Sequence, residues 1–102
     1  MPREVRYTVA FDRDAHSVDA VQRAAYRLAD RASYEVMVGD AAIEVMISLL
    51  KEGTDMASLV GEFRNEVLDQ VLRERIRAET ADVRNLVLAL AFSRTGLAGA
   101  NE

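Results

Sequence analysis

Apolar and polar residues alternate without interruption from Val5 to Phe11. Val5, Tyr7, Val9 and Phe11 fall on one side; Arg6, Thr8 and Ala10 fall on the other. A period of two rich in Val and Tyr predicts a half-buried strand. The polar stretch Asp12-Arg13-Asp14-Ala15-His16 predicts a turn. Ser17 is then a suitable helix N-cap, with Asp19 near the positive helix end. Val18, Val21, Ala25, Leu28 and Ala32 recur at helical spacing, and Arg23, Arg27 and Asp30 take the opposite face. The many alanines bring this helix close to whatever it covers. Alternation returns over Ser33–Val38, with Tyr34, Val36 and Val38 together. Gly39-Asp40 reads as a two-residue hairpin turn. Ile43, Val45, Ile47 and Leu49 supply the apolar face of a third strand.

Lys51-Glu52-Gly53-Thr54-Asp55 ends the alternation, and Thr54 or Asp55 can cap a second helix. From Met56 to about Ser93 the whole chain reads as helix. Met56, Val60, Phe63, Val67 and Val71 form one stripe, continued by Leu68, Leu72, Ile76, Val83, Leu86, Val87 and Leu90. A straight helix of this extent is roughly 55 Å long, nearly twice the roughly 30 Å width of a small domain. The expectation is therefore a break or bend near Ala78–Ala81, where Thr80 can cap a new helix.

The order of elements fits an α+β fold, β-α-β-β-α-α. Its three-stranded mixed sheet, a split β-α-β unit or half of a ferredoxin-like arrangement, is covered on one face by helices. A right-handed crossover makes the first two strands parallel, with the third between them and antiparallel to both. Residues 1–96 are expected to form a single domain, and 97–102 a frayed tail. In this arrangement the first strand, Val5, Arg6, Tyr7, Thr8, Val9, Ala10 and Phe11, is an open edge. Its backbone can pair with an added peptide strand or with a second copy, unless the C-terminal helix covers it or its side chains keep it solvated.

Composition narrows the chemistry. The 102 residues are 50% hydrophobic and 29% charged, which suits one folded domain. With no cysteine, the chain offers no disulfide, thiolate nucleophile, iron–sulfur cluster or cysteine-bound zinc. One histidine, His16, is too little for a histidine metal site or a Ser-His-Asp relay, and reads as a turn side chain with a local hydrogen bond. A formal net charge of -4 argues against a nucleic-acid partner. The longest apolar run, Leu86–Phe92, is far too short to span a membrane. The charged N-terminus has no signal-peptide core, so a cytoplasmic location is expected. Glu62 and Glu66 lie one helical turn apart, but interleaved Arg64, Arg73, Arg75 and Arg77 make this a solvated face with local charge pairs. Gly39, Gly53 and Gly61 stand alone and form no phosphate loop. No catalytic residue, metal or cofactor is expected.

One stretch is more specific than helix formation requires. Phe63-Arg64-Asn65-Glu66-Val67-Leu68-Asp69-Gln70-Val71-Leu72-Arg73-Glu74 is followed by Glu79-Thr80 and by Arg84-Asn85-Leu86-Val87-Leu88-Ala89-Leu90-Ala91-Phe92-Ser93. Together these resemble the His-Xaa-Ser system protein HxsD family, short bacterial proteins encoded with two radical S-adenosylmethionine proteins and a small precursor peptide. Phe11-Asp12, Ser17, Ala24-Ala25-Tyr26-Arg27 and Asp30-Arg31 fit that family's opening segment. Of its Asn-Asp-Tyr-x-Leu-Arg-Glu element, Asp69, Leu72, Arg73 and Glu74 are present, while Leu68 and Gln70 depart from it. The resemblance implies an accessory role in maturing a ribosomally made peptide. Without cysteines for the radical cluster, the chain would bind rather than catalyse. The implied partners are the radical enzymes, the precursor peptide, or both. The peptide is expected along Val5–Phe11, and a protein partner on Asn65, Asp69, Arg73, Arg84 and Asn85. The alternative is a purely structural homodimer sealed through the first strand or the long helix.

Overall fold

The computed structural model describes residues 5–49 and 53–95. Strand β1 (Arg6–Asp12) leads through a turn to helix α1 (Val18–Arg27). Strands β2 (Ala32–Val38) and β3 (Ala42–Leu49) form a hairpin, and helix α2 (Met56–Thr95) comes last. The expected tail at 97–102 lies outside the described residues. The chain forms two compact units that divide between Leu72 and Arg73.

The sheet order is β1-β3-β2. Both pairings are antiparallel, with Val9 opposite Val45 and Val45 opposite Val36. The expected placement of β3 between the other two holds, but the sheet is antiparallel throughout rather than mixed. β1 and β2 run the same way without touching, so no parallel ladder forms. Among the described residues the expected third helix does not form. α2 is one 40-residue helix that continues through Ala78–Ala81. Residues 77–82, Arg-Ala-Glu-Thr-Ala-Asp, contain neither Gly nor Pro, and Thr80 disfavours a helix interior only slightly.

Local chemistry sets the boundaries. The Ser17 hydroxyl accepts a 2.9 Å hydrogen bond from the Ala20 amide and caps α1. The Asp55 carboxylate accepts from the Ala57 amide at 3.2 Å and from the Ser58 hydroxyl at 2.8 Å, capping α2. Gly53, at φ 85°, makes the left-handed step just before that cap. The hairpin closes one residue later than the sequence suggests. The Gly39 amide donates to the Ala42 carbonyl at 2.9 Å, which leaves Asp40 and Ala41 at the tip. Glycine serves here through close approach, because a Cβ at position 39 would sit 3.1 Å from that carbonyl oxygen. Arg13 fastens the tip to the β1–α1 turn, its guanidinium donating to the Gly39 carbonyl at 2.9 Å.

The core lies between one sheet face and the helices. It takes Val9 and Phe11 from β1, Ile43, Val45 and Ile47 from β3, and Ala32 from β2. Val21, Ala24 and Ala25 of α1 and Leu59, Val60, Phe63 and Val67 of α2 close over them. Phe63 is fully buried, with its ring 5.7 Å from that of Phe11 and 5.4 Å from that of Tyr34. Helices thus cover one face, as expected, and the α2 positions in this core end at Val67, with Val71 packed beside it.

Hydrogen-bond parity is set by the register. The Leu49 amide donates to the Val5 carbonyl, and the Arg13 amide donates to the Ala41 carbonyl. Bonded pairs alternate in an antiparallel ladder, so odd-numbered β1 residues bond to β3. The backbones of Thr8 and Ala10 therefore point away from it. Val9→Pro should cost about 1–3 kcal/mol by removing a ladder donor and leaving the facing β3 carbonyl unpaired. Thr8→Pro should cost less than about 1 kcal/mol, because it removes none. Urea denaturation of both variants tests the parity, and equal losses would refute it.

Tyr34 supplies a second test. Its hydroxyl donates to the Leu28 carbonyl at 2.9 Å. Burial raises its pKa above 10.0, opposed in part by Arg31. The unfolded phenol then ionises before the folded one, so this contribution is complete below pH 10 and is lost as pH rises through the folded value. Thermal unfolding should show a fall in Tm above about pH 10 that is shallower in Tyr34→Phe.

Candidate functional site

β1 and β2 are the two edges of the sheet. Among the described residues, no strand pairs with the outer side of either. At β1 the Asp12 carbonyl is taken up by the turn, accepting from the amides of Ala15 and His16. The outward backbone groups of Thr8 and Ala10 remain as a template for an added strand. Val9 and Phe11 are buried under the helices, while Tyr7, on the same side of the strand, is 45% exposed. The seven residues expected to meet a peptide thus divide by parity. Val9 and Phe11 hold the core, and the backbones of Thr8 and Ala10 face the open side.

Beside this edge lies a groove of about 430 Å³, lined by Tyr7 of β1 and by Met56, Ala57, Val60 and Arg64 of α2. Sequence periodicity places Met56 and Val60 in a core stripe and puts Arg64 on the solvated, charge-paired face rather than in a groove. The available signal is Arg64 sitting one turn beyond Val60. A second depression, of about 360 Å³, lies at the hairpin end among Met37, Val38, Gly39, Ala42 and Glu44.

The residues expected to seat a protein partner are distributed along α2. Asn65 is exposed and Asp69 half-buried in the first unit; Arg73, Arg84 and Asn85 are exposed in the second. Large apolar side chains are exposed beside the latter three. Ile76, Val83, Leu86, Val87, Leu90 and Phe92 are each about half exposed or more, from 49% at Phe92 to 61% at Val83. These residues continue the apolar stripe of the sequence and are left exposed to this degree.

Glu62 and Glu66 are engaged in structural contacts. Glu66 bonds to the Arg27 guanidinium at 3.1 Å and to the Gln70 amide at 2.9 Å, and Glu62 pairs with Arg31. These pairs join α1 and the turn after it to α2, rather than linking neighbours within one helix as expected. Both carboxylates therefore face guanidinium groups rather than each other. His16 has the local role expected of it, its Nδ1 lying 2.9 Å from the Asp12 carbonyl oxygen. Its ring also stands edge-on to Phe11, at 5.1 Å. Among the described residues, no three His, Cys, Asp or Glu are placed to share a metal ion. No described helix is long and apolar enough to cross a membrane.

Comparison with known proteins gives one result. Neither a curated protein nor a solved structure matches the chain. The family model described as His-Xaa-Ser system protein HxsD matches residues 11–98, most of the length. The chain therefore belongs to the HxsD family of His-Xaa-Ser system proteins.

Proposed function

We propose that this chain is a non-catalytic binding component of peptide maturation. It holds radical S-adenosylmethionine enzymes, the ribosomally made precursor peptide, or both, while the chemistry is done elsewhere. The observation that carries the proposal is the exposed apolar row of α2 from Ile76 to Leu90. Large apolar side chains left together in water cost free energy that a protein partner recovers. Arg73, Arg84 and Asn85 lie along the same helical segment and supply polar contacts at its margin. Two features favour binding over catalysis in this chain. Its sequence contains no cysteine for a cluster, and Glu62 and Glu66 are committed to Arg31 and Arg27. The open edge of β1 suits an extended peptide, with backbone bonds giving affinity and alternate side chains giving selectivity.

One observation favours a second reading. Ile76, Val83, Leu86 and Leu90 match the three-and-four spacing of a helix–helix seam, interrupted by Glu79. A second copy of the chain could satisfy that seam as a purely structural homodimer. Co-purification with the radical enzymes and the precursor peptide separates the two readings when combined with light scattering. Replacing Val83, Leu86 and Leu90 with Gln should reduce enzyme capture at least tenfold while leaving the melting of residues 5–72 unchanged. Reversing Arg73 and Arg84 to Glu should weaken capture less. A stable dimer that ignores both enzymes and peptide would establish the homodimer instead.

A further inference from the structure

The groove beside β1 gives the proposed docking edge a means of reading side chains. A strand added to β1 sends every second side chain toward the helices, into the layer that holds Tyr7, Val9 and Phe11. Farther along, this layer is closed, since Val9 and Phe11 are buried. At Tyr7 it is open, and the space is bounded by Met56, Val60 and Arg64. The groove is thus where an added strand has room for a side chain.

Its walls specify the occupant. Tyr7, Met56, Ala57 and Val60 present mainly carbon. Met56 also brings an unbranched thioether that adapts to different apolar shapes. Arg64 is exposed and pairs with no carboxylate among the described residues, unlike Arg27 and Arg31. Arg64 lines the same groove as Met56 and Val60. Side chains on one side of a strand recur at every second residue. The neighbour that shares the helix-facing side with an apolar residue packed in the groove is therefore two positions away from it. A carboxylate there would meet a guanidinium fork suited to it.

We propose that the β1 edge and this groove select an extended peptide carrying an apolar residue followed or preceded, two positions away, by Asp or Glu. The apolar side chain sits among Tyr7, Met56 and Val60, and the carboxylate pairs with Arg64. This selectivity rests on the edge-docking reading, and the test separates the two.

A phage-displayed library of random dodecapeptides is selected against the whole protein and against Arg64→Glu, Arg64→Gln and Thr8→Pro. The intact chain should enrich an apolar-x-acidic spacing in either direction. Arg64→Glu should replace the acid with Lys or Arg, and Arg64→Gln should remove the charge preference. A peptide selected by the intact chain should bind Arg64→Glu at least tenfold more weakly. Thr8→Pro should abolish binding, since it blocks the outward edge without touching the β3 ladder. If Arg64→Glu selects the same motif, or the selected peptides need the edge but carry no acid, the groove assignment fails and edge docking stands. If no peptide is enriched, or binding survives Thr8→Pro, edge docking fails and the groove assignment falls with it.

Discussion

Phe63 leaves α2 and ends among aromatic rings from both outer strands, Phe11 of β1 and Tyr34 of β2. The central strand β3 lies between those two strands, so one side chain spans the width of the sheet. Edge-to-face and tilted ring contacts add about 0.5–1.5 kcal/mol per pair beyond the area they bury. More consequential is the geometry. With Phe63 held between β1 and β2, the start of α2 is fixed over the helix-facing layer. Its neighbours on the helix are placed with it, Leu59, Val60 and Val67 in the core and Met56 and Arg64 at the groove.

The ion pairs refine that placement. Arg27 and Arg31, at the end of α1 and in the turn beyond it, meet Glu66 and Glu62 on successive turns of α2. All four side chains are at least partly exposed, so each pair contributes at most about 1 kcal/mol in water. They agree with the rotation that the buried stripe sets, which turns Glu62 and Glu66 toward Arg31 and Arg27 and leaves Met56 and Arg64 beside β1. Small residues in α1 serve the same end, because Ala20, Ala24 and Ala25 let that helix approach the sheet closely.

Much of this is legible in the sequence where the signal is local. The alternation at Val5–Phe11, Ser33–Val38 and Ile43–Leu49 marks the strands and their buried sides, and Ser17 and the Thr54-Asp55 pair mark two helix starts, the second capped by Asp55. The hairpin is displaced by one residue because Gly39 suggests a turn centre, whereas its lack of a Cβ serves a close contact with Ala42. Thr80 suggests a break, but a lone capping residue is weak against a run of residues that all tolerate helix. The partners of Glu62 and Glu66 are hidden because Arg31 and Glu62 stand 31 residues apart, beyond any local spacing rule. The groove is hidden for a related reason, since Tyr7 and Arg64 become neighbours only through the fold. The stripe of α2 is visible throughout its length, but periodicity does not distinguish a side buried in its own core from one left for a partner.

The alternation of β1 carries one more consequence. Its outward backbone groups recur at every second residue, so a strand laid against it can advance only in steps of two without exchanging its faces. A register shift by one would turn every inward side chain to solvent and present the other half of the ligand's sequence to the helices. The edge therefore imposes a reading frame: a ligand that repeats its motif at even intervals can slide and rebind, whereas one that repeats at odd intervals must release and start again.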